Sequence, residues 1–205
     1  MRLFVAINWA DETRTQLASL RDELRSLSKH GNFTLNDNLH LTLVFIGECS
    51  PKKLDKVIAI LDTVAFNPFE ATIEKLGTFS RRSKRAFAKL KGLEEEGATV
   101  ERASFSLTSG NEQAQSLAIW WAGLRKDKPL MDLQREIEHK FALCGFEMDG
   151  RDYRPHITLG REVITDTEPW PIEPFSETVT SIDLMQSERI NGKLTYTAIY
   201  ERTSQ

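Results

Sequence analysis

Long apolar runs are missing from these 205 residues: no stretch of eighteen apolar residues could span a bilayer as a helix. No leader is expected either. Arg2 precedes only the five apolar residues Leu3–Ile7, too short for the core of a signal peptide, and no small-residue cleavage site follows. The cytoplasm is therefore the expected compartment, with no membrane partner. Cysteine is scarce as well. Cys49 and Cys144 cannot build a disulfide framework and lie in no zinc-binding spacing, so two buried, reduced thiols are expected. Excess charge of either sign is also absent: the net charge of −3 excludes a protein that coats nucleic acid by bulk electrostatics. With no low-complexity tract or long linker, the chain reads as one bilobal domain over 1–205, and a monomer is expected.

One local basic run stands out, Arg81-Arg82-Ser83-Lys84-Arg85 continuing to Lys89 and Lys91, soon balanced by Glu94-Glu95-Glu96. It fits either a solvated hairpin or helix face or a patch that steers a polyanionic substrate.

The periodicity gives an α+β chain. Met1–Asn8 alternates as a strand, and Leu17, Leu20, Leu24 and Leu27 recur at helical spacing after Asp11 and Glu12. Leu39–Ile46 is a second strand, followed by a helix that opens at Ser50-Pro51 and carries Leu54, Val57, Ile58 and Leu61. Strands are predicted at Phe69–Phe79 and Leu117–Gly123, and a helix over Pro129–Cys144 with Leu130, Leu133, Ile137, Phe141 and Leu143 on its apolar side. Further strands fall at Arg154–Arg161, Val179–Ile190 and Lys193–Tyr200, the last two joined by Asn191-Gly192, a strong hairpin signal. In the strand holding Trp120 and Trp121, neighbours face opposite ways, so one indole fills the core and the other lines a surface or cleft.

Two segments carry the chemistry, Leu39-His40-Leu41-Thr42-Leu43 and Pro155-His156-Ile157-Thr158-Leu159. Residues two apart in a strand share a face, so each segment offers one imidazole and one hydroxyl while the alternate aliphatic residues anchor it. One His-x-Thr is a weak signal. Two copies, one in each half of the chain, use two of only four histidines; His30 and His139 lie at a helix end and on a helix, where solvated or structural roles are expected. In-line displacement at phosphorus needs a base on the incoming oxygen and an acid on the leaving one, which two imidazoles supply near neutral pH. Threonine hydroxyls can donate to the non-bridging oxygens. Neither motif has an acidic residue or cysteine as a recognisable third zinc ligand, so no metal or cofactor is expected. Arg161 falls on the alternate face of a regular strand, but a bulge would bring its guanidinium to the phosphate, where bidentate binding suits it. Tyr153 and Phe45 are candidates to wall the cleft or stack on a base, with core packing the role expected of Phe45.

At these residues the sequence resembles the two-histidine phosphoesterases, most closely the LigT-like RNA 2′,3′-cyclic phosphodiesterases. Met1–Ile7 resembles the family's opening strand, Asn38–Gly47 its first motif block, Arg154–Arg161 its second, and Leu184–Tyr196 its closing hairpin. The resemblance implies two pseudo-symmetric lobes of antiparallel sheet with outer helices around a central cleft, each motif on an inner strand. It also implies metal-independent hydrolysis of 2′,3′-cyclic phosphate ends of RNA or nucleotides to 2′-phosphates, with His40 as general acid, His156 as general base, and Thr42, Thr158 and Arg161 holding the phosphate.

Other readings stay open beside it: the reverse reaction, a 2′–5′ RNA ligation; another nucleotide phosphodiester as substrate; or an RNA- or nucleotide-binding module without catalysis. The sequence departs from the family at 81–115, where relatives have a short turn, which marks an insertion that could alter substrate choice. It departs again at Val44, where relatives often carry lysine.

Overall fold

Alternating burial builds the two strands that matter most. In β3 (His40–Glu48) Leu41 and Leu43 are buried while His40 and Thr42 are half-exposed, and in β6 (His156–Thr165) Ile157 and Leu159 are buried while His156 and Thr158 are half-exposed. Burying each aliphatic side chain stabilises by about 1.5–3 kcal/mol. Each motif strand is thereby pinned from behind while its polar face stays free.

In the computed structural model, which describes residues 1–80 and 117–205, two antiparallel sheets hold these strands. The first sheet has four strands in the order β3, β1 (Arg2–Asn8), β8 (Ser181–Ile190) and β9 (Lys193–Thr203). The second has five: β2 (Ser28–Phe33), β6, β5 (Ala118–Leu124), β4 (Phe69–Ser80) and β7 (Phe175–Val179). Helices α1 (Asp11–Ser26), α2 (Leu54–Asp62) and α3 (Lys128–Leu143) pack through their apolar faces, α1 with Leu17 and Leu24, α2 with Val57, Ile60 and Leu61, α3 with Leu130, Leu133, Ile137 and Phe141. The expected α+β architecture of two antiparallel lobes with surrounding helices is observed. The expected insertion at 81–115, with its basic run, lies outside the described residues.

Several details depart from the sequence reading. Among the described residues, β3 is an edge strand of its sheet rather than an inner one, whereas β6, the other motif strand, is flanked on both sides. The strand read at Val179–Ile190 is β8, which begins at Ser181; Val179 ends β7, a strand of the other sheet that was not foreseen. β2 was not foreseen, because Ser-Lys-His-Gly-Asn-Phe has no alternation; its pairing with β6 supplies the strand. Leu143, assigned to the apolar side of α3, is 73% exposed, and Cys144 is half-exposed where a buried thiol was expected; Cys49 is buried. The Asn191-Gly192 turn forms as read, both residues having positive φ (50° and 80°), the geometry of a tight hairpin.

The loop leading to His40 is held by a buried cation. Arg21 of α1 donates to the Thr34 carbonyl (2.8 Å) and to Asn36 Oδ1 (2.5 Å), and its guanidinium pairs with Asp22 at 2.9 Å. Asn38, also buried, donates to the Leu194 carbonyl at 2.9 Å, tying the same loop to β9.

Candidate active site

The two histidines are oriented by one repeated device. His40 Nδ1 lies 2.8 Å from the Asn38 carbonyl, and His156 Nδ1 lies 2.7 Å from the Arg154 carbonyl, in each case the residue two positions earlier. A carbonyl can only accept, so both Nδ1 atoms carry the proton and both Nε2 atoms are left for chemistry. His40 Nε2 is 3.0 Å from the Thr42 hydroxyl, which donates to it while the imidazole is neutral.

β3 and β6 meet although they belong to different sheets. Their junction is fastened by Tyr153, whose hydroxyl donates to the Thr42 carbonyl at 2.9 Å. That phenol is buried, and burial raises its pKa above the ordinary tyrosine value, so it remains a donor. Tyr153, which the sequence marks as a candidate to wall the cleft or stack on a base, has its hydroxyl committed to this seam. Its ring packs on the core.

Arg161 reaches the site through a bulge. The β5–β6 register shifts between Trp120 and Trp121 and again between Ala118 and Trp120, and Glu162 takes φ of +54°, a conformation rare outside glycine. The irregularity re-aims the guanidinium, which lies 3.5 Å from the Thr158 hydroxyl. Its positive charge also acts on His40, His156 and Tyr196. His40, Thr42, His156, Thr158 and Arg161, all named from sequence, therefore converge on one place.

Electrostatics favour neutral imidazoles in the free protein. Burial, with smaller contributions from the charges of Arg161 and His156, lowers the His40 pKa to about 4 against the Asn38 carbonyl, which works the other way. His156 is the less buried of the two, and its pKa is also lowered, first by desolvation and then by Arg161. An anion placed between them reverses these effects, because negative charge favours the imidazolium.

Aromatic rings wall both histidines. His40 lies 5.0 Å from the rings of Phe4 and Tyr196, edge-on to the latter, and His156 lies 5.1 Å from Phe79, edge-on, with Trp121 behind it at 6.4 Å. The paired tryptophans divide as expected, Trp120 at 2% exposure in the core and Trp121 half-exposed beside His156. Gly77 and Gly123 make room for it: a Cβ at either would come within 2.2 or 2.6 Å of the Trp121 ring. Sequence reasoning missed the two orienting carbonyls and the rings of Phe4, Phe79 and Tyr196. Parity would have put Phe4 on the face of His40 once the β1–β3 register was known, but no sequence signal marks a carbonyl. His30, which lies in β2 rather than at a helix end, and His139 are exposed. Among the described residues no group of three or more His, Cys, Asp or Glu side chains is arranged to hold a metal, and no helix is long and apolar enough to cross a membrane.

The model of the family "LigT like Phosphoesterase" matches residues 7–88, which include the first motif. The RNA 2′,3′-cyclic phosphodiesterase of Archaeoglobus fulgidus is 27% identical over 184 residues, 86% of this chain and 85% of its own, and that of Escherichia coli is 27% identical over 201 residues, 97% and 93% respectively. The chain is similar to the LigT-like phosphoesterases. Its fold matches the crystal structure of E. coli LigT complexed with 3′-AMP at a TM-score of 0.72, with 23% identity over 99% of this chain and 97% of that one. The same LigT fold has been solved in complexes with NADP+, ATP and phosphate.

Proposed function

We propose that this LigT-like chain hydrolyses 2′,3′-cyclic phosphate ends of RNA or nucleotides to 2′-phosphates without a metal, through His40 and His156. The observation that carries this is the pair of Nε2 atoms, each freed by an Nδ1–H bonded to the carbonyl two residues back, with the Arg161 charge acting on both rings. The curated relatives named RNA 2′,3′-cyclic phosphodiesterase support the choice of substrate.

His156, less buried and so accessible to solvent, takes a proton from water as the water oxygen bonds to phosphorus. The bond from phosphorus to the 3′ oxygen breaks on the opposite side, and His40 Nε2–H protonates the departing oxygen. The anionic phosphate itself supplies the field that loads His40 with its proton, offsetting the burial that keeps it neutral in the free protein. Thr42 and Thr158 donate to the non-bridging oxygens, and Arg161 holds the charge that accumulates there.

The test is turnover of a 2′,3′-cyclic nucleotide by His40→Ala and His156→Ala. Each is expected to lose about 10²–10⁴-fold in kcat while phosphate still binds. Unchanged rates in either variant would remove that histidine from the mechanism.

A further inference from the structure

The first sheet continues past His40 into a surface that the hydrolytic chemistry leaves unused. Phe45 pairs with Phe4 across β3 and β1, and Phe4 packs on the His40 ring. Rings directly opposite on antiparallel strands stand about 5 Å apart at Cβ, so Phe45 lies roughly one nucleotide beyond the catalytic histidine. It is 47% exposed, where core packing was expected, while its partner Phe4 is buried.

Arg2 covers this ring, with its guanidinium carbon 4.9 Å from the Phe45 centroid. The Arg2 charge also reaches the Tyr196 hydroxyl, as the Arg161 charge does. Tyr196 therefore lies under the influence of two guanidiniums, one serving the catalytic phosphate and one outside it. Glu48, the residue opposite Arg2 in the β1–β3 register, has its carboxylate 3.9 Å from the N-terminal amine.

We infer that Phe45 and Arg2 form a subsite for the nucleotide on the 5′ side of the cyclic end, Arg2 holding its phosphodiester and Phe45 stacking on its base. The inference rests on the proposed phosphodiesterase reading and narrows its substrate to oligonucleotide ends. An aromatic face beside a guanidinium suits a single strand: base stacking tolerates any sequence, and the cation meets the backbone. A 2′,3′-cyclic mononucleotide lacks the second base and the phosphodiester that links it.

The experiment compares a 2′,3′-cyclic mononucleotide with a dinucleotide bearing the same cyclic 3′-terminal residue, on the full chain. The dinucleotide is expected to have the higher kcat/KM by about tenfold, the scale of one stacked base. In Phe45→Ala that preference should shrink to near unity. In Arg2→Gln the log–log salt dependence of dinucleotide turnover should flatten by about 0.7, the loss of one single-strand phosphate contact. Calorimetric binding of 2′-phosphate-ended mono- and dinucleotides reads the same preference without chemistry. A binding preference sensitive to Phe45→Ala in a protein that turns over neither substrate would keep the subsite and strike the hydrolytic reading. Equal kcat/KM for the two substrates, or a preference untouched by both substitutions, would overturn the subsite and leave hydrolysis standing.

Discussion

The Tyr153 hydroxyl donates to the Thr42 carbonyl, joining the segment just before one His-x-Thr strand to the middle of the other. The two motif strands lie in different sheets, so no backbone ladder fixes the distance between His40 and His156. Among the described residues this hydrogen bond ties the two motif strands directly.

Tyr153→Phe should therefore act on geometry more than on binding. Loss of the hydroxyl leaves a buried carbonyl without this donor and is expected to cost about 1–2 kcal/mol of stability. Because a small misplacement of acid and base is felt mainly in the transition state, kcat should fall about tenfold or more with KM little changed. Steady-state kinetics beside chemical denaturation separates the two effects; a rise in KM alone would show that Tyr153 serves substrate binding instead.

The pH dependence of kcat/KM is expected to be a bell displaced to the acid side. The free enzyme must have one imidazole protonated and the other neutral, so its optimum lies between the two pKa values. His40 sits at about 4 and His156 below its ordinary 6.5, which moves the optimum from the neutral value expected of free imidazoles to between about pH 4 and 6.5. Bound phosphate raises both values, so the kcat profile should lie to the alkaline side of the kcat/KM profile. An optimum of kcat/KM above pH 7 would contradict the burial of these rings.

Stability should carry the same signature. The His40 pKa is depressed on folding, so between pH 6.5 and about 4 the unfolded chain binds more protons than the native one, and stability falls as the pH falls. From pH 7 to pH 5 this one residue should contribute a loss of about 2 kcal/mol. Urea denaturation at the two pH values measures the drop. His40→Gln should reduce it by that amount, whereas an unchanged drop would place the His40 ring in solvent.

Much of this site was legible because its chemistry is written at strand spacing. Leu41 and Leu43, like Ile157 and Leu159, alternate with His and Thr, and that period both buries the strand and aims the imidazole. Arg161 was legible only conditionally, since its approach depends on a bulge with Glu162 at positive φ, a conformation that sequence does not announce. β2 and β7 were hidden for a different reason: both are edge strands whose pairing, not their composition, makes them strands. The position of β3 at an edge could not be read at all, because strand order is set by which hydrophobic faces meet after folding. The Asn38 and Arg154 carbonyls fix both tautomers and leave no trace in side-chain identity.

The central claim is that His40 and His156 divide the proton transfers of one in-line opening of a 2′,3′-cyclic phosphate, with His40 on the departing 3′ oxygen. Analysis of the product from a cyclic-ended oligonucleotide, resolving 2′- from 3′-phosphate by chromatography or phosphorus NMR, tests it most directly. The 2′-phosphate alone is expected, formed equally well in the presence of chelator. A 3′-phosphate product, a mixture of the two, or no product from folded protein would contradict it.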